Sequence, residues 1–440
     1  MDLIQKNIDR VFEIPFLIAV ALLTVLLGPW VFNIGILGLC ALALFRPVYA
    51  LPLLFFSGIL KNADIFEAIP VDLTLYSFLL FALFIFSKGL YRTRFIFGEA
   101  NFLLLMMLIV SIGSAMMSEI PLSYHLASGY QYAFIYIPLV LVIINLNWSP
   151  TLFDDLIIAF ERTLVLIVFL WIGMSFYWPV NNLVQYQKNS PTETVFHLSG
   201  FGEDYAAYGL LVSLLLMFFA VNIVFQKAKG GMAVVLLIFS FILLFKLPSK
   251  GILLGTVISV GLLLAFGKSR KKFLGILLFT LLILAVLIIY NSHVDLGPSA
   301  RLYSSTETIQ YRLNSIIIAF MHWSSSPFFG TGIDSVAYFN GHPGRHSHNI
   351  FLESIFEFGV IGSMPLVLFI LVVLWQAIKL LKIKIKNGMA SYVWIILMFV
   401  QLFIFSNTSG NLGGIRQFWI ISALIIVCVR VETKAYANQE

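Results

Sequence analysis

Apolar runs long enough to cross a bilayer recur along nearly the whole of this chain, and short clusters of Lys and Arg separate them. That pattern constrains the fold more than any motif does. Only 11% of the residues are charged and 60% are hydrophobic, whereas a soluble domain carries roughly 25% charged residues. Water cannot be the only solvent of such a chain. The reading is an all-α, polytopic helical membrane protein of about 12–14 transmembrane helices. Residues 1–440 form one integral membrane domain on this reading.

The formal net charge of +6 is concentrated in short loops, as the positive-inside rule requires and nucleic-acid binding does not. The expected spans are 14–28, 31–45, 48–60, 73–87, 102–117, 132–144, 156–177, 205–225, 232–245, 252–266, 273–290, 350–378, 392–405 and 418–429. Lys88, Arg92 and Arg94, then Lys227 and Lys229, then 268–272, then Lys379 to Lys386 mark the cytoplasmic side. Both termini fall there too. The first run lacks a small-residue cleavage site and reads as a retained helix rather than a signal peptide. Cys40 and Cys428 lie inside apolar runs, so no disulfide framework is implied. Glu161 and Arg162, inside the seventh span, read as charges that pair or snorkel near the inner surface.

This topology sends two long polar segments outward, 178–204 and 291–349, and puts all seven histidines in outward loops. Within the second segment, Ile309, Leu313, Ile316, Ile317 and Phe320 recur at helical spacing, with Arg312 on the more polar face. The spacing predicts an amphipathic helix over 306–324, lying on the bundle with its charged side towards a cavity. A turn-rich return, Ser326-Pro327-Phe328-Phe329-Gly330-Thr331-Gly332, follows it.

The segment then ends in RHSHNIFLESIFEFGVIG, residues 345–362, where polar, titratable groups stand at the mouth of an apolar helix. An imidazole titrates near neutral pH, so His348 is a candidate general base for a substrate hydroxyl. The plainer alternative has His348 or Asn349 satisfying free amides at a helix start. His346 and His348 share one face of an extended chain, but no third ligand stands at a metal-binding spacing. Gly359 and Gly362, one turn apart, predict close packing of the helix on a neighbour. Arg312, Lys250 and Arg416 lie near outward span ends, where cations can hold a lipid diphosphate or merely snorkel. Arg345, His346, Asn349 and Asp204 complete the candidates for holding substrate. Glu353 is a candidate to orient His348, or a plain helix-face acid. The same ambiguity attaches to Glu203 and Glu357.

These residues carry a resemblance. His348-Asn349, the nine residues 350–358, and Gly359-Val360-Ile361-Gly362 resemble the signature of the bacterial O-antigen ligase and O-antigen polymerase superfamily. Tyr311-Arg312-Leu313 looks like that family's arginine helix, and residues 327–332 like its Pro-(apolar)-(apolar)-Gly-x-Gly turn. Where the family commonly has Ser-Arg-Gly, this chain has Ser249-Lys250-Gly251, which keeps the charge and loses the planar fork.

The resemblance implies a GT-C-like helical glycosyltransferase fold with an outward cavity under the long loop. It implies a glycan donor on polyprenyl (undecaprenyl) diphosphate, a glycan or lipid A-core acceptor, and an inverting, metal-independent reaction with no cofactor. His348 would activate or orient the acceptor hydroxyl, and Arg312 with Lys250 would stabilise the departing diphosphate. The setting would be the bacterial inner membrane with the site facing outward, the bilayer itself as a partner, a chain-length regulator as a further one, and no nucleic acid. Polymerase and ligase differ only in acceptor, and the reading leans to a polymerase of a surface polysaccharide. A flippase for lipid-linked sugars is the competing class; it would favour midplane charges and repeated halves, and no internal repeat is visible here.

Overall fold

The computed structural model describes residues 14–60, 72–90, 98–128, 131–181, 205–225, 231–246, 250–266, 305–341, 346–386, 389–408 and 415–437, with positions 274, 275 and 278. Every regular element among them is helical. In chain order the α-helices are α1 (Ile14–Leu27), α2 (Pro29–Phe45), α3 (Ala50–Leu60), α4 (Leu73–Ser87), α5 (Glu99–Met117), α6 (Leu122–Ser128), α7 (Ile137–Asn145) and α8 (Pro150–Asn181). Then come α9 (Tyr205–Val224), α10 (Gly231–Lys246), α11 (Lys250–Phe266), α12 (Ser305–Trp323), α13 (Ser335–Phe339), α14 (Ile350–Lys386), α15 (Ala390–Ser406) and α16 (Arg416–Ala437). Among the described residues, α5 and the 350–384 stretch of α14 are long and apolar enough to cross a membrane, and shorter apolar helices of 10–17 residues accompany them. The class is that of a helical membrane protein. The expected span 273–290 lies almost wholly outside the described residues.

The chain forms two compact units, each drawn from separated stretches. The first takes Met1–Gly89, Thr151–Ser249 and Val260–Leu302. Its core is aromatic: Phe55 meets Phe160 edge-on at 5.3 Å, and Phe153, Phe160 and Trp171 are fully buried. The second takes Leu90–Pro150, Lys250–Ser259 and Tyr303–Glu440. There α14 packs along α5 and α15, and α16 packs on α7. A ladder of rings fills the centre, with Tyr132 stacked on Phe358 at 5.7 Å and touching Trp419 at 5.4 Å, and Trp419 stacked on Phe369. Short polar side chains are retained in this core because helix carbonyls accept from them, as Ser111 does to Met107 O at 2.7 Å.

Two details differ from the sequence reading. Lys384 belongs to the basic cluster expected in a cytoplasmic loop, yet it is a helical residue and buried. It pairs with Glu432 and lies 3.8 Å over the Tyr392 ring, and a charge is tolerated inside a protein only with such partners. Secondly, α14 is not one straight helix. At Gly359 the backbone turns to φ 70°, ψ 179°, a conformation open essentially to glycine alone. Gly359 therefore breaks the helix instead of packing it on a neighbour. Gly362 does the packing: a β-carbon there would stand 2.6 Å from Val110 Cγ1 on α5.

Candidate active site

The break in α14 leaves carbonyls before it and N–H groups after it without helical partners. The turn 327–332 supplies both. Thr331 N donates to Phe356 O at 3.0 Å and Gly332 N to Glu357 O at 2.9 Å. Val360 N donates to Pro327 O at 2.9 Å and Ile361 N to Phe328 O at 3.2 Å. Backbone meets backbone here, since a β-carbon at Gly330 would strike Glu357 and Gly359, and one at Gly359 would strike Phe328 and Phe329. From α5, the Ser114 hydroxyl lies 2.6 Å from Glu357 O and 3.1 Å from Phe329 O, and Ser118 donates to Thr331 O at 2.5 Å. The short first limb of α14 is thus fixed on the turn.

That limb presents the histidine segment. Asn349 is its N-cap, with Oδ1 accepting from Phe351 N and Leu352 N, both at 3.0 Å, and its carbonyl accepting from Glu353 N at 2.9 Å. The capping role weighed from sequence therefore belongs to Asn349. His348 stands just outside the helix, half-buried, with its backbone at φ 55°. Buried Ser347 ties the same turn through its hydroxyl, which donates to Asn349 O at 3.1 Å.

Arg312 reaches the same place from α12. Its Nη1 donates to Thr408 O at 3.0 Å, while Asn349 Nδ2 donates to Asn407 O at 3.5 Å. Two neighbouring carbonyls just past the end of α15 therefore hold the arginine helix and the residue beside His348. The packed side of α12 runs through Ser315 and Ala319, and Ala319 joins Val336 and Phe356 in a small core flanked by Ile316, Trp323 and Leu352. Leu313, Ile317, Phe320 and Met321 are exposed, 51–67% of each, forming an apolar stripe of the kind that meets lipid. The helix is amphipathic as expected, but much of its apolar stripe faces outward rather than onto the bundle.

His346 is held rather than open. Its Nδ1 lies 2.9 Å from Glu353 Oε1 and 3.7 Å from Asp334 Oδ1. Burial works against the charged ring, but the contact with Glu353, its charge and that of Asp334 outweigh burial, so the His346 pKa stands above its ordinary value. Glu353, weighed as an orienting group for His348, takes His346 in this close ion pair. Buried His125, on α6, lies with Nδ1 2.5 Å from Ile333 O. A carbonyl only accepts, so that nitrogen carries the proton. Burial lowers the His125 pKa against the opposing pulls of Ile333 and Asp334, which favours the neutral ring.

The structure thus brings His348, Asn349, His346 and Arg312 together around one helix start. Arg416 opens α16 and is buried, 9% exposed. Lys250 opens α11, and its side chain lies outside the described residues, as do Asp204, Glu203 and Arg345 entirely. The sequence reading missed Asp334 and did not single out His125. Asp334 had one visible signal, its place directly after the Gly-Thr-Gly turn. His125 had none, because its partner Ile333 is 208 residues away.

Among the described residues the protein is helical, with a histidine just before a capped, broken apolar helix and an arginine on the adjoining helix, and this defines the class of helical membrane proteins with a polar cluster at a helix mouth. Residues 212–367 match the family model described as O-Antigen ligase, a domain match that supports the resemblance to the O-antigen ligase and O-antigen polymerase superfamily. The matched segment takes in Lys250, Arg312, the turn 327–332, His348 and the helix break. Members of this superfamily are glycosyltransferase-like membrane enzymes that work on lipid-linked glycans and polysaccharides. No curated protein matches the chain.

Proposed function

We propose that the protein transfers a glycan from polyprenyl diphosphate to a hydroxyl of a second glycan, joining repeat units of a surface polysaccharide such as O-antigen, capsule or exopolysaccharide. The observation that carries this reading is the pair of carbonyls at Asn407 and Thr408, which gather Arg312 and the His348–Asn349 step. In the reaction the acceptor oxygen bonds to the anomeric carbon as the bond from that carbon to the diphosphate oxygen breaks. His348 takes the acceptor proton, and the electron pair leaves with the diphosphate. A guanidinium has five N–H donors; one of Arg312's is given to Thr408, and the others serve the charge developing on the leaving group. Lys250 and Arg416 are further cations for the same anion. The anomeric centre inverts in this single displacement, and the cations take the place a divalent metal would fill.

Asn349 and His346 act by position in this account: the first caps the helix and the second ties the segment to Glu353 and Asp334. The site faces the periplasm or cell exterior from the bacterial inner membrane. The test is H348A in the native host, with polyprenyl-linked glycans and surface polymer analysed. Single outward-facing repeats without polymer support the polymerase. Long lipid-linked chains that never reach a lipid A core assign a ligase instead. Loss of outward-facing lipid-linked sugar points to a flippase, and unchanged polymer refutes a role for His348.

A further inference from the structure

Next to the histidine segment lies an aromatic surface that the transfer chemistry above does not use. The short helix α13 ends in Tyr338 and Phe339, and Tyr338 remains 43% exposed. The Tyr338 ring is fixed from two sides, 4.9 Å from Tyr124 at 70° and 5.6 Å from Phe339 at 80°. Phe339 is itself stacked on His322 at 3.7 Å, nearly parallel at 6°. An exposed ring held this firmly does not collapse onto the surface, although burying it would be favourable.

A carboxylate stands beside the rings. Tyr124 Oη approaches Asp334 Oδ2 at 3.5 Å, and His346 Nδ1 approaches Oδ1 at 3.7 Å. Both contacts are long, and an ionised carboxylate offers about four acceptor sites. Asp334 therefore has acceptor capacity for a pair of hydroxyl donors. The combination of a π face and a carboxylate is chemically selective. The C–H groups on one side of a pyranose carry partial positive charge and match the negative face of an aromatic ring. The vicinal hydroxyls at the rim match a carboxylate. Two carboxylates, Asp334 and Glu353, flank the one imidazole of His346, which disfavours an acidic sugar or a phosphate here.

We infer that Tyr338, Tyr124 and Asp334 form a subsite for a neutral pyranose of the glycan substrate, with the sugar's C–H face on Tyr338 and its hydroxyls on Asp334. This rests on the glycosyl-transfer reading and deepens it. The subsite is tied to the catalytic segment through His346, two residues before His348, so it grips a sugar near the reacting end of the chain.

The test is saturation-transfer NMR on the full-length protein in nanodiscs. The probes are the methyl pyranosides of glucose, galactose, mannose and N-acetylglucosamine, with methyl glucuronide alongside. At least one neutral glycoside should receive saturation on its ring C–H protons, and the glucuronide should not. Y338A should weaken that binding about tenfold, the upper end of what one aromatic contact supplies. Y338F should keep it and D334N should weaken it. Circular dichroism on each variant separates lost binding from lost folding, and D334N keeps the question answerable if Y338A does not fold, since undiminished binding in D334N also overturns the subsite. Saturation that is undiminished in Y338A, equal binding of the glucuronide, or no transfer to any neutral probe overturns the subsite. The polymer phenotype of H348A judges the transferase reading separately. Lost binding in Y338A with polymer intact in H348A would keep the subsite and remove the transferase, and the converse pair would do the opposite.

Discussion

Gly359→Ala is expected to cripple the protein, although it adds one methyl group to an apolar helix. At φ 70°, ψ 179° the residue occupies a region that costs an L-residue about 1–3 kcal/mol. The new β-carbon would also strike the Phe328 carbonyl and Phe329 nitrogen, backbone atoms that cannot swing aside. The turn must retreat, and its bonds at Val360–Pro327 and Ile361–Phe328 lengthen or break, at about 1 kcal/mol each. Together these come to about 3–5 kcal/mol, and the inactivation temperature should drop by about 3–5 °C. The assay is thermal unfolding of the detergent-purified protein, beside polymer production in the host. Gly113→Ala on α5 is the control, because its β-carbon would meet nothing within 4 Å, and it should be neutral or slightly stabilising. A Gly359→Ala protein that melts within a degree or two of wild type would refute the account of the junction.

Asn349→Ala should cost about 1 kcal/mol through the lost N-cap, and Asn349→Asp should recover most of it in the same melting assay. Arg312→Ala should abolish polymer formation in the host. Arg312→Lys should restore the charge but not the activity, because an ammonium cannot hold Thr408 O and fork onto a phosphate together; full activity in Arg312→Lys would remove the guanidinium from the mechanism. Lys250→Arg, which supplies the family's planar fork, should retain or raise polymer yield, and a loss would show that the position does not face the diphosphate. For His346 the folded-state pKa lies above its ordinary value. Its stabilisation is fully present below the ordinary value of about 6.5 and is lost as pH rises through the folded-state pKa. The melting temperature should therefore fall over that interval, and His346→Asn should flatten that part of the profile.

How far the sequence carried depends on the range of the interactions involved. The apolar runs announced nearly every helix, because a segment surrounded by lipid or by other helices needs no partner to declare its period. Arg312 and His348 were legible for the same local reason, as polar groups set against apolar helices. Asn349's duty as a cap was also within reach, since capping depends on the next three residues alone. What escaped was everything set by contacts distant along the chain. Glu353 looked like a partner for His348 at five residues' spacing, and the folded chain brings it against His346 at 2.9 Å. Lys384 looked like a loop charge because Glu432 is 48 residues away. The outward turn of the α12 stripe followed from Val336 and Phe356, which Ala319 meets only in the folded unit.

The two glycine motifs are best understood as one device. Non-helical backbone at membrane depth survives only where other protein groups satisfy it, so a helix broken at Gly359 requires a partner segment with its own free backbone groups. The 327–332 turn is such a segment, and its amides and carbonyls meet those of 356–361 in both directions. Neither could form without the other, and a side chain at Gly330 or Gly359 would hold them apart. The consequence reaches the chemistry. A continuous helix through 350–386 would carry residues 349 and 348 off along its own axis. The break lets the first limb lean on the turn, and with it come the cap and the histidine. The same turn leads directly into Asp334, so the element that supports the limb also delivers the carboxylate that helps hold His346. Precision at His348 therefore comes from backbone hydrogen bonds between two motifs that are separate in sequence, which is why conservative side-chain changes around them should be milder than any β-carbon at Gly359.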